Sequence, residues 1–180
     1  KKCKLDNLSL TGRLCYLFMC IEKYLTICYP QKDWILVATK SWQWTNVYWN
    51  KGCDIYSIVV PEYLFEFDTY EKTNMPAFKG RLSKKDYLEL TNLFADLTTG
   101  NSEDEINQVL MLPIEFNNEC ECTNFDNANN PTLKILYKIQ HFLSLHNISF
   151  PSVSNVQNMT VNQKDDWGNF IDSEYLSIIS

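Results

Sequence analysis

The sequence predicts an all-α single domain of five to six amphipathic helices, and three observations carry that prediction. Apolar residues recur at spacings of three and four along most of the chain, helix-capping residues stand just ahead of those runs, and prolines and glycines fall between them. A chain of 180 residues is the size of one domain and buries about 70% of the surface its unfolded form exposes. With 45% hydrophobic and 14% aromatic residues it has the side chains to fill that core, which excludes intrinsic disorder.

The first element is set by Leu10, Leu14, Leu17, Phe18, Ile21, Leu25 and Cys28. At 100° per residue they fall within an arc of about 100°, an amphipathic helix that Pro30 closes. Asp33 caps a second helix, in which Trp34, Ala38, Trp42 and Thr45 share a face. Residues 54–67 read two ways. Ile55 to Val60 is β-branched enough for a strand or irregular segment, whereas the helices on either side favour a helix interrupted at Pro61. Asp68 to Arg81 reads as a loop. Ser83-x-x-Asp86 opens a helix through Tyr87, Leu90, Phe94 and Leu97 that Gly100 ends. Ser102-x-x-Glu105 is a capping box ahead of Ile106, Val109, Leu110 and Ile114, with Pro113 expected to kink or shorten the helix. Asn130 caps a last helix with Pro131 in its first position, running through Leu133, Leu136, Ile139, Leu143 and His146. The helical domain therefore spans 1–150, and 151–180 is a polar C-terminal extension whose terminal segment packs back.

Charge restricts the partners. Sixteen Lys and Arg against 22 Asp and Glu give a net charge of −6, the wrong sign for neutralising phosphates, so neither nucleic acid nor an anionic membrane is an expected partner. The excess is local. Residues 101–130 hold seven acids (Glu103, Asp104, Glu105, Glu115, Glu119, Glu121, Asp126) and no Lys or Arg, while the other 150 residues carry 15 acids and 16 bases. Glu103 to Glu105 suit the first turn of a helix. Glu115, Glu119, Glu121 and Asp126 are placed by the reading above at a helix end and in the loop beyond it, where they oppose the macrodipole with no basic neighbour in sequence. Locally unfavourable charge of this kind is what a partner-directed surface looks like; a solubilising face is the plainer alternative.

No catalytic signature emerges. His141 and His146, the two histidines, lie five residues apart, about 140° around a helix, and do not share the face that a helical metal pair needs. Cys120-Glu121-Cys122 has neither zinc-ligand spacing nor a second pair, and the adjacent carboxylates raise thiol pKa values. Seven cysteines is an odd count, and Cys15, Cys20 and Cys28 in the apolar opening helix read as small buried thiols in a reducing, cytoplasmic compartment. There is no Gly-x-Ser-x-Gly elbow and no phosphate-binding Gly-rich loop. No metal and no cofactor is expected. Trp34 and Trp42 lie on the core stripe, whereas Trp44 and Trp49 fall off it and are candidate exposed anchors for a partner.

Certain motifs carry a resemblance. Arg13 and Cys20-Ile21-Glu22 in the opening helix lead to Trp42-Gln43-Trp44-Thr45, then Val60-Pro61-Glu62, then Leu82-Ser83-Lys84-Lys85-Asp86-Tyr87. Over residues 10–146 this resembles helical immunity proteins of bacterial polymorphic-toxin and contact-dependent growth inhibition systems. The resemblance implies a small cytoplasmic protein that binds and neutralises one cognate toxin domain, often a nuclease, and it implies no catalytic residues. A nuclease must be basic to hold its substrate, which agrees with the acidic window. The expected partner surface is Glu115, Glu119, Glu121 and Asp126 with Trp44 and Trp49. A non-catalytic helical adaptor is the alternative reading, and a metal-dependent hydrolase the third.

Overall fold

The structure, a computed structural model, describes residues 4–73, 81–121, 123–160, 167–169 and 174–179. Among them are seven α-helices and no strand: α1 (Leu10–Cys28), α2 (Ile35–Gln43), α3 (Trp49–Ser57), α4 (Pro61–Leu64), α5 (Lys84–Phe94), α6 (Glu105–Cys120) and α7 (Phe125–Leu145). The protein is all-α, as its periodicity predicts.

The opening helix differs most from expectation. Ser9 caps α1 by accepting the Gly12 amide at 3.2 Å, but α1 is not one-sided: 15 of its 19 residues are buried. It is the central helix, with α2, α6, α7 and the chain after Phe150 packed around it. Its nominally polar face (Thr11, Cys15, Tyr16, Met19, Cys20) is apolar enough to be enclosed. α7 runs parallel to it, since Arg13 meets Thr132, Tyr16 meets Gln140 and the Tyr24 ring meets His146. α6 runs antiparallel to both, joining Tyr24 through Glu105 and Lys138 through Glu115.

The chain beyond Phe150 returns to α1. Tyr16 Oη donates to the Pro151 carbonyl at 3.3 Å, Ser9 N to Met159 O at 2.9 Å and Thr11 N to Trp167 O at 2.9 Å. A Cβ on Gly12 would lie 2.6 Å from the Met159 carbonyl oxygen, so this crossing needs glycine. Further on, Ser177 Oγ and the Ile178 amide reach the buried Glu22 carboxylate, each at 2.7 Å.

Several boundaries move for local reasons. Asp33 Oδ1 accepts the Ile35 amide at 3.0 Å, but Trp34 occupies the cap position of α2. Trp34, Ala38, Trp42 and Thr45 are all buried, as their spacing predicts. Residues 54–67 contain the end of α3 and the short α4, with Pro61 at the first turn of α4 where its missing amide costs nothing. Ser83 caps α5 by accepting the Asp86 amide at 3.0 Å. That helix stops at Phe94 rather than near Gly100, because the Leu97 and Thr98 amides both turn back to the Phe94 carbonyl. The capping box at Ser102 does not form. Asp104 stands at the cap of α6, its carboxylate accepts Thr98 Oγ1 at 2.6 Å, and Glu105 is drawn away to Tyr24 and His146.

Both internal prolines are absorbed. Pro113 neither ends nor shortens α6, and the Tyr56 hydroxyl donates to the nearby Leu110 carbonyl at 2.7 Å. Pro131 does not start α7. Asn124 caps that helix by accepting the Asn127 amide at 3.1 Å, so it begins well before Pro131. Around the proline, Thr132 Oγ1 donates to the Ala128 carbonyl and Arg13 donates to that of Asn129. At the other end His146 is the cap, and Asn147 adopts φ 56°. The Ile148 and Asn147 amides then reach the Leu143 and Ser144 carbonyls, a Schellman ending in which asparagine takes the left-handed position.

Packing of the tryptophans against α3 gives a sharp test. A Cβ on Gly52 would lie 2.1 Å from the Trp44 ring. Alanine in mid-helix normally stabilises by about 1 kcal/mol over glycine, but here the buried indole has nowhere to go. Gly52→Ala should instead destabilise by about 1–3 kcal/mol, read as a lower urea midpoint. A gain in stability would refute this packing.

Candidate functional site

The six residues singled out from the sequence separate in the structure. Trp44 is not an exposed anchor. It is 1% exposed and wedged between Phe18, Trp49 and Tyr56, with ring centroids 5.7–6.0 Å away. It falls off the α2 stripe because the chain tightens into a 3-10 turn at Trp44–Asn46, which rotates the side chain back into the core. Trp49 is half-buried, edge-on to Trp167 at 5.3 Å and against Phe116 at 6.0 Å. Neither indole is a protruding group, and both indole N–H groups are buried without an acceptor among the described residues. The large apolar side chains that do face solvent include Tyr48, next to Trp49 in the chain, and Tyr137, Leu145 and Tyr175.

The four acids divide as well. Glu115 has a basic neighbour that sequence distance hides. Both its carboxylate oxygens accept from Lys138 Nζ, at 2.9 and 3.0 Å. The pair is over a third exposed on each side, so it stabilises by about 0–1 kcal/mol. Asp126 is not in a loop but in the first turn of α7, where its charge complements the macrodipole. Glu119, in the last turn of α6, and Glu121 just beyond it are exposed and lie where the dipole opposes them. Among the described residues Glu119, Glu121 and Asp126 enter no ion pair. The α6–α7 turn is therefore an exposed acidic corner whose three carboxylates enter no ion pair among the described residues.

Beside this corner a groove of about 620 Å³ runs between α6 and α7. Glu115 and Glu119 form one wall, Lys134 and Lys138 the other, with Pro131 and Ile135 between them. The sequence hides this feature because its two walls come from segments on either side of a turn, and only antiparallel pairing sets them face to face.

The histidines and thiols take structural places. His141 is exposed, and the half-exposed His146 Nε2 sits 2.5 Å from Glu105 Oε1, which also accepts Tyr24 Oη at 2.7 Å. Burial first, then Tyr29 and Glu105, holds the Tyr24 phenol well above its ordinary pKa. No group of three or more His, Cys, Asp or Glu among the described residues is placed to hold a metal ion. No disulfide joins the described cysteines; Cys3 and Cys122 lie outside the described residues. Burial pushes the Cys53 and Cys120 thiols up to about 12. At Cys120 the Glu119 charge adds a little and Arg13 opposes it, so enclosure rather than the adjacent acids is the main cause. Native Cys20, Cys53 and Cys120 should therefore resist iodoacetamide at pH 8 and react on unfolding. Peptide mapping that found any of them alkylated in the folded protein at the rate of a small-molecule thiol would contradict this.

Among the described residues no helix is long and apolar enough to cross a membrane. In comparisons with known proteins the chain matches no family model, no curated protein and no solved structure.

Proposed function

We propose that this protein is an immunity protein, which binds a cognate basic toxin domain, in the first instance a nuclease, and neutralises it by stoichiometric blocking. The observation that supports this reading is the corner formed by Glu119, Glu121 and Asp126. These are three exposed acids with no ion pair among the described residues, two of them set against a helix dipole. A surface that keeps uncompensated charge of one sign attracts a partner of the other sign and speeds its encounter. By standing where phosphates would stand, such acids can occupy a nuclease's substrate groove. No catalytic residue is required of this chain, and the partner is a protein.

The test is titration calorimetry against the C-terminal toxin domain encoded immediately upstream, at low and high salt. The expected result is nanomolar one-to-one binding that weakens as salt rises. Binding should weaken again, by about tenfold or more, when Glu119→Gln, Glu121→Gln and Asp126→Asn are combined. Glu115 is left intact because changing it would also break its pair with Lys138. Tight binding indifferent to both salt and these substitutions would move the interface elsewhere. No binding would overturn the immunity reading for this pair in favour of a helical adaptor whose acids only solubilise it.

A further inference from the structure

The α6–α7 groove has a property that an acidic face lacks: its two walls carry opposite charge. On antiparallel helices, positions one turn apart keep the same register, so if Glu115 stands opposite Lys138, Glu119 stands opposite Lys134. Only the first pair closes. Glu119 and Lys134 line the same groove, both exposed, and make no ion pair with each other or with any other described residue. The opening lies towards Pro131, which lines the groove and interrupts the hydrogen-bond ladder of α7. Ile135, 6% exposed, supplies an apolar floor.

We infer that this groove seats a protein segment carrying a cation and an anion on either side of an apolar side chain, the cation towards Glu119 and the anion towards Lys134. The inference rests on the immunity reading and identifies the part of the partner that this face accepts. A lone basic side chain entering here would approach Lys134 and Lys138, and a lone acid would approach Glu115 and Glu119. A segment bearing both signs meets attraction on each wall, while its apolar residue covers Pro131 and Ile135. A volume of about 620 Å³ holds a few side chains of that kind.

Lys134→Glu is the decisive variant, because the two ideas predict opposite signs. If the face is read for negative charge alone, it binds the basic toxin domain more tightly. If the walls are read separately, calorimetry against the same purified domain shows about tenfold weaker binding for Lys134→Glu and again for Glu119→Lys. The double variant Glu119→Lys/Lys134→Glu also stays weak, since the partner's polarity is fixed. Both positions are exposed, and a circular-dichroism melt confirms that each variant is folded. Unchanged or tighter binding by Lys134→Glu overturns the inference while leaving the immunity reading standing. Failure of the unaltered protein to bind overturns both. Sedimentation of the protein alone that showed a dimer lost in Lys134→Glu and restored in the double variant would make a second copy the occupant and overturn the foreign partner.

Discussion

Arg13→Met is expected to lower the unfolding free energy by about 3–5 kcal/mol, a large part of the total for a domain of this size. Arg13 is fully buried on the central helix. Its Nε donates to the Leu8 carbonyl at 3.2 Å. Nη1 donates to Asn129 O at 2.9 Å and Thr132 Oγ1 at 2.8 Å, and Nη2 donates to Asp6 O at 3.2 Å and Asn129 Oδ1 at 2.7 Å. The guanidinium also lies 5.0 Å from the centre of the Phe125 ring. Among the described residues no carboxylate is one of its hydrogen-bond partners. The cation is held by carbonyls of the segment ahead of α1 and by oxygens of Asn129 and Thr132 on either side of Pro131, so it ties the start of α1 to the first turns of α7. Methionine keeps the apolar stem but orphans those acceptors. Arg13→Lys retains the charge but not the planar fork, and should fall between. A urea midpoint for Arg13→Met corresponding to a loss under about 1 kcal/mol would mean that the orphaned acceptors are otherwise satisfied.

The pH dependence of that difference has a definite sign. Burial pushes the Arg13 guanidinium well below its ordinary pKa, down to about 10, with Asp6 opposing, so the side chain stays charged at neutral pH. The unfolded chain therefore binds this proton more tightly than the folded one. Stability attributable to Arg13 ionisation rises with pH only from about 10 upward and is flat below it. The gap between Arg13→Met and the unaltered protein should be the same at pH 6 as at pH 8.

Glu22→Ala should cost about 3 kcal/mol and release the C-terminal segment. Glu22 is 2% exposed. Its Oε1 accepts Trp42 Nε1 and Ser177 Oγ, and its Oε2 accepts the Ile178 amide, all at 2.7 Å. One carboxylate thus holds α1, α2 and residues 174–179 together. Alanine leaves a buried indole N–H and a backbone amide without acceptors. Glu22→Gln keeps one oxygen but turns an N–H donor towards one of the donors, so it should cost less than alanine and more than nothing. Deleting residues 174–180 removes two of the three bonds, and Glu22→Ala made on that background should cost clearly less than it does in the full chain. Additive losses would show that the segment and the carboxylate act independently. Limited proteolysis offers a second readout: the tail of Glu22→Ala should be cleaved while the helices persist.

Helix formation was legible because it is local. Spacings of three and four, Ser83 at a cap, and Pro30 after α1 depend on neighbours within a turn or two, and these features stand in the structure. Local cues failed where a distant group competed for the same atoms. Ser102-x-x-Glu105 is a sound capping box, yet Tyr24 and His146 take the Glu105 carboxylate. Asn130-Pro131 is a sound helix start, yet Asn124 caps α7 earlier, and Arg13 and Thr132 serve carbonyls beside the proline.

The candidate site was legible in part for the same reason. That residues 101–130 hold all the excess acid is a property of composition, and that Glu119 and Glu121 stay exposed follows from their place at a helix end. That Glu115 is matched by Lys138, that Trp44 is core, and that a split-charge groove exists at all depend on how separate helices pack. The sequence by itself determined the all-α class, most of the helices and the location of the negative charge, since each rests on residues close together along the chain. Only the tertiary structure decided that α1 is enclosed on nearly every side, that Arg13 and Glu22 are interior groups, and which acids meet a base. Those outcomes depend on which long-range partners satisfy each buried polar atom, and one-dimensional spacing carries no such information.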